Sequence, residues 1–153
     1  MSFRSIDIDA LDEDILVQDE LFVLSDGLEV DPETALSNVK TKEVEVRNCL
    51  TRGDTSNALI KAIETPPYGL HTSKAKNQNT KIVMDVLIST KATVGLVKSL
   101  STEQQDILMK YIYRGMASPN LYNSAVLLSW HEKLTEAAGV GCIIRVITDR
   151  KTV

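Results

Sequence analysis

Apolar residues recur at helical spacing along most of this chain, with no convincing strand between one helical signal and the next. Asp31 reads as an N-cap and Pro32 as the first helical position, where the missing proline N–H costs nothing. This helix or helix pair runs to Leu50 and is stopped by Gly53. Asp54 or Thr55 caps the next, whose Ala58, Leu59, Ala62 and Ile63 share a face before Pro66-Pro67 ends it. The polar stretch Tyr68 to Asn79 reads as a loop that merges into a helix start near Ser73. From Lys81 to Thr90, Ile82, Val83, Met84, Val86, Leu87 and Ile88 surround the single acid Asp85, as in a helix buried on most sides. A buried strand competes there, because Val and Ile are frequent.

A short helix is expected through Val94, Leu96, Val97 and Leu100. Ser101-Thr102-Glu103-Gln104 then forms a capping box, opening a helix with Ile107, Leu108, Tyr111 and Ile112 on one face and Gly115 near its end. Ser118-Pro119 reads as the next N-cap and first position, followed by Leu127, Trp130, Leu134 and Ala137 at helical spacing until Gly139. The last segment, Val140 to Lys151, places Ile143, Ile144 and Ile147 on one face, with a β-branched terminal strand as the alternative. The expectation is an all-α fold: a compact antiparallel bundle or short solenoid of about seven helices with short connections.

The first 30 residues differ from this pattern. Phe3, Ile6, Ile8, Leu11, Ile15, Leu16 and the cluster Leu21-Phe22-Val23-Leu24 are scattered among acids, and such a segment cannot close a core of its own. Residues 1–35 hold eleven acids against the single base Arg4, whereas the rest of the chain holds 16 bases and 10 acids. The net charge of -4 therefore averages an acidic arm, residues 1–30, and a mildly basic body, residues 31–153. On these residues alone two readings stand: an inert solubilising tail, or an acidic segment studded with apolar anchors that orders on partners. Nucleic-acid binding is not expected, since no dense Lys/Arg cluster occurs.

A length of 153 residues and 43% hydrophobic content suit one domain with one core, and no apolar run approaches the roughly 18 residues of a membrane span. Met1-Ser2-Phe3-Arg4 has no apolar leader, and Cys49 and Cys142 form no disulfide or metal pattern, so a cytoplasmic protein is expected. Catalytic chemistry finds no foothold. His131 and Glu132 are adjacent on a helix and point apart, neither His-x3-His nor Cys-x2-Cys occurs, and Gly139-Val140-Gly141 lacks the third glycine of a phosphate loop. No catalytic residue, cofactor or metal is expected. Tyr, Trp and Arg are enriched at binding hot spots, which makes the helices carrying Tyr111, Tyr113, Tyr122 and Trp130, and the basic C-terminus with Arg145, Arg150 and Lys151, interface candidates, while the same large rings are common in helical cores.

The run Leu108-Met109-Lys110-Tyr111-Ile112-Tyr113-Arg114-Gly115, then Ser118-Pro119 and Leu128-Ser129-Trp130-His131-Glu132-Lys133, resembles the subunit 5 family of the actin-related protein 2/3 complex. Gly139-Val140-Gly141 through Arg145-Val146 to Arg150-Lys151-Thr152-Val153 is similar to the end of that family. Val86-Leu87-Ile88-Ser89 and Phe3-Arg4-Ser5-Ile6-Asp7-Ile8-Asp9 also match, whereas Glu29 to Glu45 and Tyr68 to Asn79 depart from the pattern. The resemblance implies a structural, non-catalytic subunit of an assembly that nucleates branched actin filaments in the cytoplasm, at the cortical actin cytoskeleton. It also implies that nucleotide binds the actin-related subunits instead of this chain. The body would pack on scaffold subunits 4 and 1, with Tyr111, Tyr113, Arg114, Trp130 and Arg145 as its candidate contacts by residue type. The arm would reach the actin-related protein 2 subunit through Phe3, Arg4, Ile6, Asp7, Ile8 and Asp9. About 30 extended residues reach up to ~100 Å, enough to bridge neighbouring subunits. The rival reading is a free-standing helical-repeat adaptor that binds a peptide or partner helix, against which the lack of 34-residue self-similarity counts.

Overall fold

The computed structural model describes residues 31–69 and 72–153, so the expected arm lies outside the described residues. These form seven helices and no strand: α1 Pro32–Thr51, α2 Thr55–Ile63, α3 Ser73–Ser89, α4 Val94–Lys98, α5 Thr102–Met116, α6 Ser124–Ala138 and α7 Val140–Thr148. Where a strand was the alternative, in residues 81–90 and 140–151, the structure has the helices α3 and α7.

The segment expected as a helix or helix pair is one helix. Asp31 caps α1 by accepting from the Thr34 N–H at 3.4 Å, and Pro32 sits in its first turn. Ala35, Val39 and Val46 make a narrow buried stripe, the pattern of a helix at the edge of a bundle. Gly53, at φ 77°, turns the chain, and Asp54 caps α2 through the Asn57 N–H at 3.2 Å. The two helices run antiparallel: Lys61 pairs with Glu45 at 2.6 Å, and Lys42 donates to the Glu64 and Thr65 carbonyls.

The helix start expected near Ser73 is where α3 begins, and the helix runs unbroken through the polar stretch into its buried part. Ala75, Asn79, Ile82, Val83 and Val86 fall at helical spacing and are buried. The Asn79 amide meets the Tyr111 hydroxyl, and the Thr80 hydroxyl donates to the Lys76 carbonyl at 2.7 Å. Polar residues that resemble a loop in the sequence are thus accommodated inside the helix by tertiary and local hydrogen bonds. Lying centrally, α3 packs on α1, α2, α5 and α6.

The capping box forms as expected: the Gln104 N–H donates to Ser101 Oγ at 3.2 Å, and the Ser101 N–H to Gln104 Oε1 at 3.0 Å. Where α5 crosses α6, a Cβ on Gly115 would stand 2.8 Å from Met84 Cε and 2.9 Å from Leu127 Cδ1, so the glycine permits the close approach. By contrast, α6 does not begin at Ser118-Pro119. The Ser118 carbonyl accepts from the Leu121 and Tyr122 N–H groups at 3.0 and 3.3 Å, closing a turn, and Asn123 caps the helix through the Ala125 N–H at 3.0 Å. Serine followed by proline suits the first two positions of a turn as well as a helix start. Leu127, Trp130 and Leu134 are buried as expected, and Ala137 is half-buried. The Trp130 indole donates to the Leu87 carbonyl at 3.0 Å, satisfying one of the acceptors left over in the last turn of α3.

Candidate partner-binding surface

Gly139, at φ 75°, ends α6 and lets the chain reverse into α7, a helix that is apolar at Val140, Cys142, Ile143, Ile144, Val146 and Ile147. One flank of a nine-residue helix cannot hold six apolar side chains, so the body buries only part of them. Cys142 is the fully buried foot, its thiol directed at the Gln105 carbonyl at 3.8 Å. Ile143 and Val146 are half-buried against the core. The helix lies parallel to α5: Cys142 faces Gln105, Arg145 forks onto Asp106 at 2.7 and 2.8 Å, and Lys110 reaches Asp149 at 2.6 Å. A parallel α5 and α7 is what an antiparallel succession of α5, α6 and α7 gives.

What α7 leaves outward is a stripe at i, i+4 and i+7: Val140 is 63% exposed, Ile144 59% and Ile147 73%. The spacing places Ile143, Ile144 and Ile147 on one face, and the structure shows which way it looks: Cys142 takes the inward position, Ile143 is half-buried, and Ile144 and Ile147 stand in solvent. The signal for this exposure was present in the sequence as a helix apolar on more than one side. Contiguous exposed apolar surface of this kind marks interaction sites.

After α7 the tail Asp149–Val153 crosses back over α5 and is held at several points. Lys110 donates to the Asp149 carboxylate and to the Lys151 carbonyl at 2.9 Å, Lys76 donates to the Thr152 hydroxyl at 3.1 Å, and Val153 is buried. The Lys110 and Lys151 ammonium groups lie 5.6 and 5.9 Å from the centre of the Tyr68 ring. Burial, with a lesser push from the Asp149 charge, raises the Tyr68 hydroxyl to about 12. Between α5, the end of α7 and this tail lies a groove of about 470 Å³, with Tyr113, Val146 and Ile147 as apolar wall and Lys110, Arg114 and Lys151 as basic rim.

Of the body residues expected at an interface, Tyr113, Arg114 and Arg145 reach the surface of this region. Tyr113 contacts the His131 ring nitrogen at 3.2 Å, and Arg114 donates to Asn77 at 2.7 Å. Tyr111 and Trp130 are fully buried and join α5 to α3 and α6 to α3, so they offer no surface to a partner. Burial drives the Tyr111 hydroxyl far above the ordinary phenol range. Phe3, Arg4, Ile6, Asp7, Ile8 and Asp9 lie outside the described residues. Among the described residues no three His, Cys, Asp or Glu side chains gather as a metal site, and no helix is long and apolar enough to cross a membrane.

The profile of the family described as "ARP2/3 complex 16 kDa subunit (p16-Arc)" matches residues 2–153. The chain belongs to the p16-Arc family. It is 40% identical to actin-related protein 2/3 complex subunit 5-C of Xenopus laevis, over 99% of this chain and 94% of the relative. Against the subunit 5-like protein of Homo sapiens the identity is 36% with the same coverage. Against subunit 5 of Dictyostelium discoideum it is 40% over 76% of this chain and 85% of the relative. The p16-Arc profile runs through both stretches that the sequence reading saw departing from the family pattern, residues 29–45 and 68–79.

Proposed function

We propose that this chain is a structural, non-catalytic subunit of the actin-related protein 2/3 complex and acts in nucleation of branched actin filaments, in the cytoplasm at the cortical actin cytoskeleton. Full-length similarity to proteins named as subunit 5 of that complex supports the assembly. The observation that carries the docking reading is the outward stripe Val140, Ile144 and Ile147 on a helix locked by its opposite side to α5. Side chains of this size, when removed from water, supply about 1.5–3 kcal/mol each. A partner helix lying along α7 would gain that energy and find Arg145 and Tyr113 at its margin. The partners we assign to the body are scaffold subunits 4 and 1. The arm, through Phe3, Arg4, Ile6, Asp7, Ile8 and Asp9, tethers the actin-related protein 2 subunit, where a tether adds effective concentration as well as contact.

The test is purification of the tagged full chain at its natural level with identification of co-eluting proteins. Elution in one stoichiometric particle with two actin-related proteins and the scaffold subunits is expected; elution alone near 16.9 kDa contradicts the proposal. For the arm, a chain lacking residues 1–30 should enter the particle but retain the actin-related protein 2 subunit less firmly. Equal retention would remove the tether from the account.

A further inference from the structure

The function proposed above uses residues 3–9 of the arm and leaves its strongest apolar cluster, Leu21-Phe22-Val23-Leu24, without a role. It also leaves the basic rim of the groove between α5, the end of α7 and the tail without a role. The two are complementary. Within residues 1–30 there are nine acids against one base, and Asp19-Glu20 directly precede the cluster. The groove presents Tyr113, Val146 and Ile147, and Lys110, Arg114 and Lys151 stand on its rim against the single acid Asp149, with Lys76 beside the tail.

Position favours the same pairing. Lys42 reaches the end of α2, Glu43 accepts from Gln78 at 3.0 Å, and the neighbouring Asn77 holds Arg114 of the rim. The first half of α1 therefore points to the end of the bundle where α3 begins, α5 finishes and the tail crosses. The arm joins the body at Asp31 on that end, and the seven residues from Ser25 to Asp31 span up to roughly 25 Å when extended. Burial and the adjacent Arg114 charge pull Lys76 below the usual lysine range, which an anionic segment would relieve.

We propose that in the chain apart from its partners the segment Leu21-Phe22-Val23-Leu24 docks into this groove, with Asp19 and Glu20 against Arg114 and Lys151. A tether this short holds the segment at about millimolar effective concentration, so that weak contacts suffice to populate the docked state. Docking covers Ile147 and leaves Val140 and Ile144 available, and it fixes where the arm departs from the body while residues 3–9 remain outside the contact. The inference is independent of which assembly the chain enters.

The test is carried out on the isolated full chain by NMR, following the methyl signals of Val146, Ile147 and Val153 and the amide exchange of residues 149–153. L21S/F22S alters only the arm, so the body folds as before. It should move the three methyl signals and speed tail exchange roughly fivefold to tenfold, as expected for a protected segment set loose. R114E, a surface change, should move the same signals in the same direction, and 0.5 M salt should move wild type partway by screening the rim. Unchanged methyl signals in L21S/F22S would overturn the proposal. So would shifts that grow with protein concentration, which would place the segment on a second copy. Incorporation into the complex is a separate readout, so failure here leaves the proposed function standing.

Discussion

Two apolar regions of this molecule use the same residue types to opposite ends. Around α3, Val83, Leu87, Leu108, Ile112, Trp130 and Leu134 are filled on every side by the chain itself. On α7, Val140, Ile144 and Ile147 are held just as firmly by the helix they stand on, yet they face outward. The difference lies in number. Each central helix presents a stripe that its neighbours cover, whereas α7 carries more apolar positions than α5 and α6 can cover. A core side chain should therefore be costly to remove and have no direct role in assembly, and an α7 stripe residue should be the reverse.

The sharpest break of the core side is Trp130→Ala. It empties a fully buried site and leaves the Leu87 carbonyl without its donor, so urea unfolding should show a loss of about 3–5 kcal/mol. Tyr111→Phe retains the volume but takes the hydroxyl from the Asn79 amide, whose Oδ1 already has no partner; about 1–3 kcal/mol is expected in the same assay. Ser101→Ala removes a surface cap of α5 and should cost about 1 kcal/mol.

Cys142 joins the two regions. Burial, and next the Asp106 carboxylate, raise its thiol to about 12. Because the folded value lies above the unfolded one, near 8.5–9, its contribution to stability is complete below that value and is lost as pH rises toward 12. The urea midpoint should fall with rising pH from 9, and the fall should be shallower in Cys142→Ala. An alkylating reagent at pH 8 should modify Cys142 only after denaturation, since the thiolate is scarce and enclosed.

How much of this was legible in the sequence follows the range of the forces involved. The Asp31 and Ser101 caps depend on residues three positions apart and were readable. The start of α6 was not, because Ser118-Pro119 suits both a turn and a helix, and the decision lies with the Asn123 cap and with Tyr122 packing on the core. The start of α3 near Ser73 was readable, but what accommodates its buried Asn79 was not, because the partner Tyr111 lies 32 residues away. For the site, the helix and its apolar character were readable, but which face it buried was set by Cys142 meeting Gln105 on another helix. Tyr111 and Trp130 carried both a core and an interface reading for a related reason: residue type alone does not separate a hot spot from a core, since both favour large rings.

The central claim, that the α7 stripe is a partner surface and not a part of the core, is tested most directly by Ile144→Asp in the full chain. Ile144 is well exposed and lies outside the groove, so the variant's unfolding free energy should stay within about 0.5 kcal/mol of wild type. The measurement is stoichiometric incorporation into the actin-related protein 2/3 complex by co-purification, with urea unfolding on the same sample. The expected result is wild-type stability with incorporation lost or reduced at least roughly tenfold, the equivalent of about 1.4 kcal/mol. A variant that is equally stable and incorporates as well as wild type would contradict it.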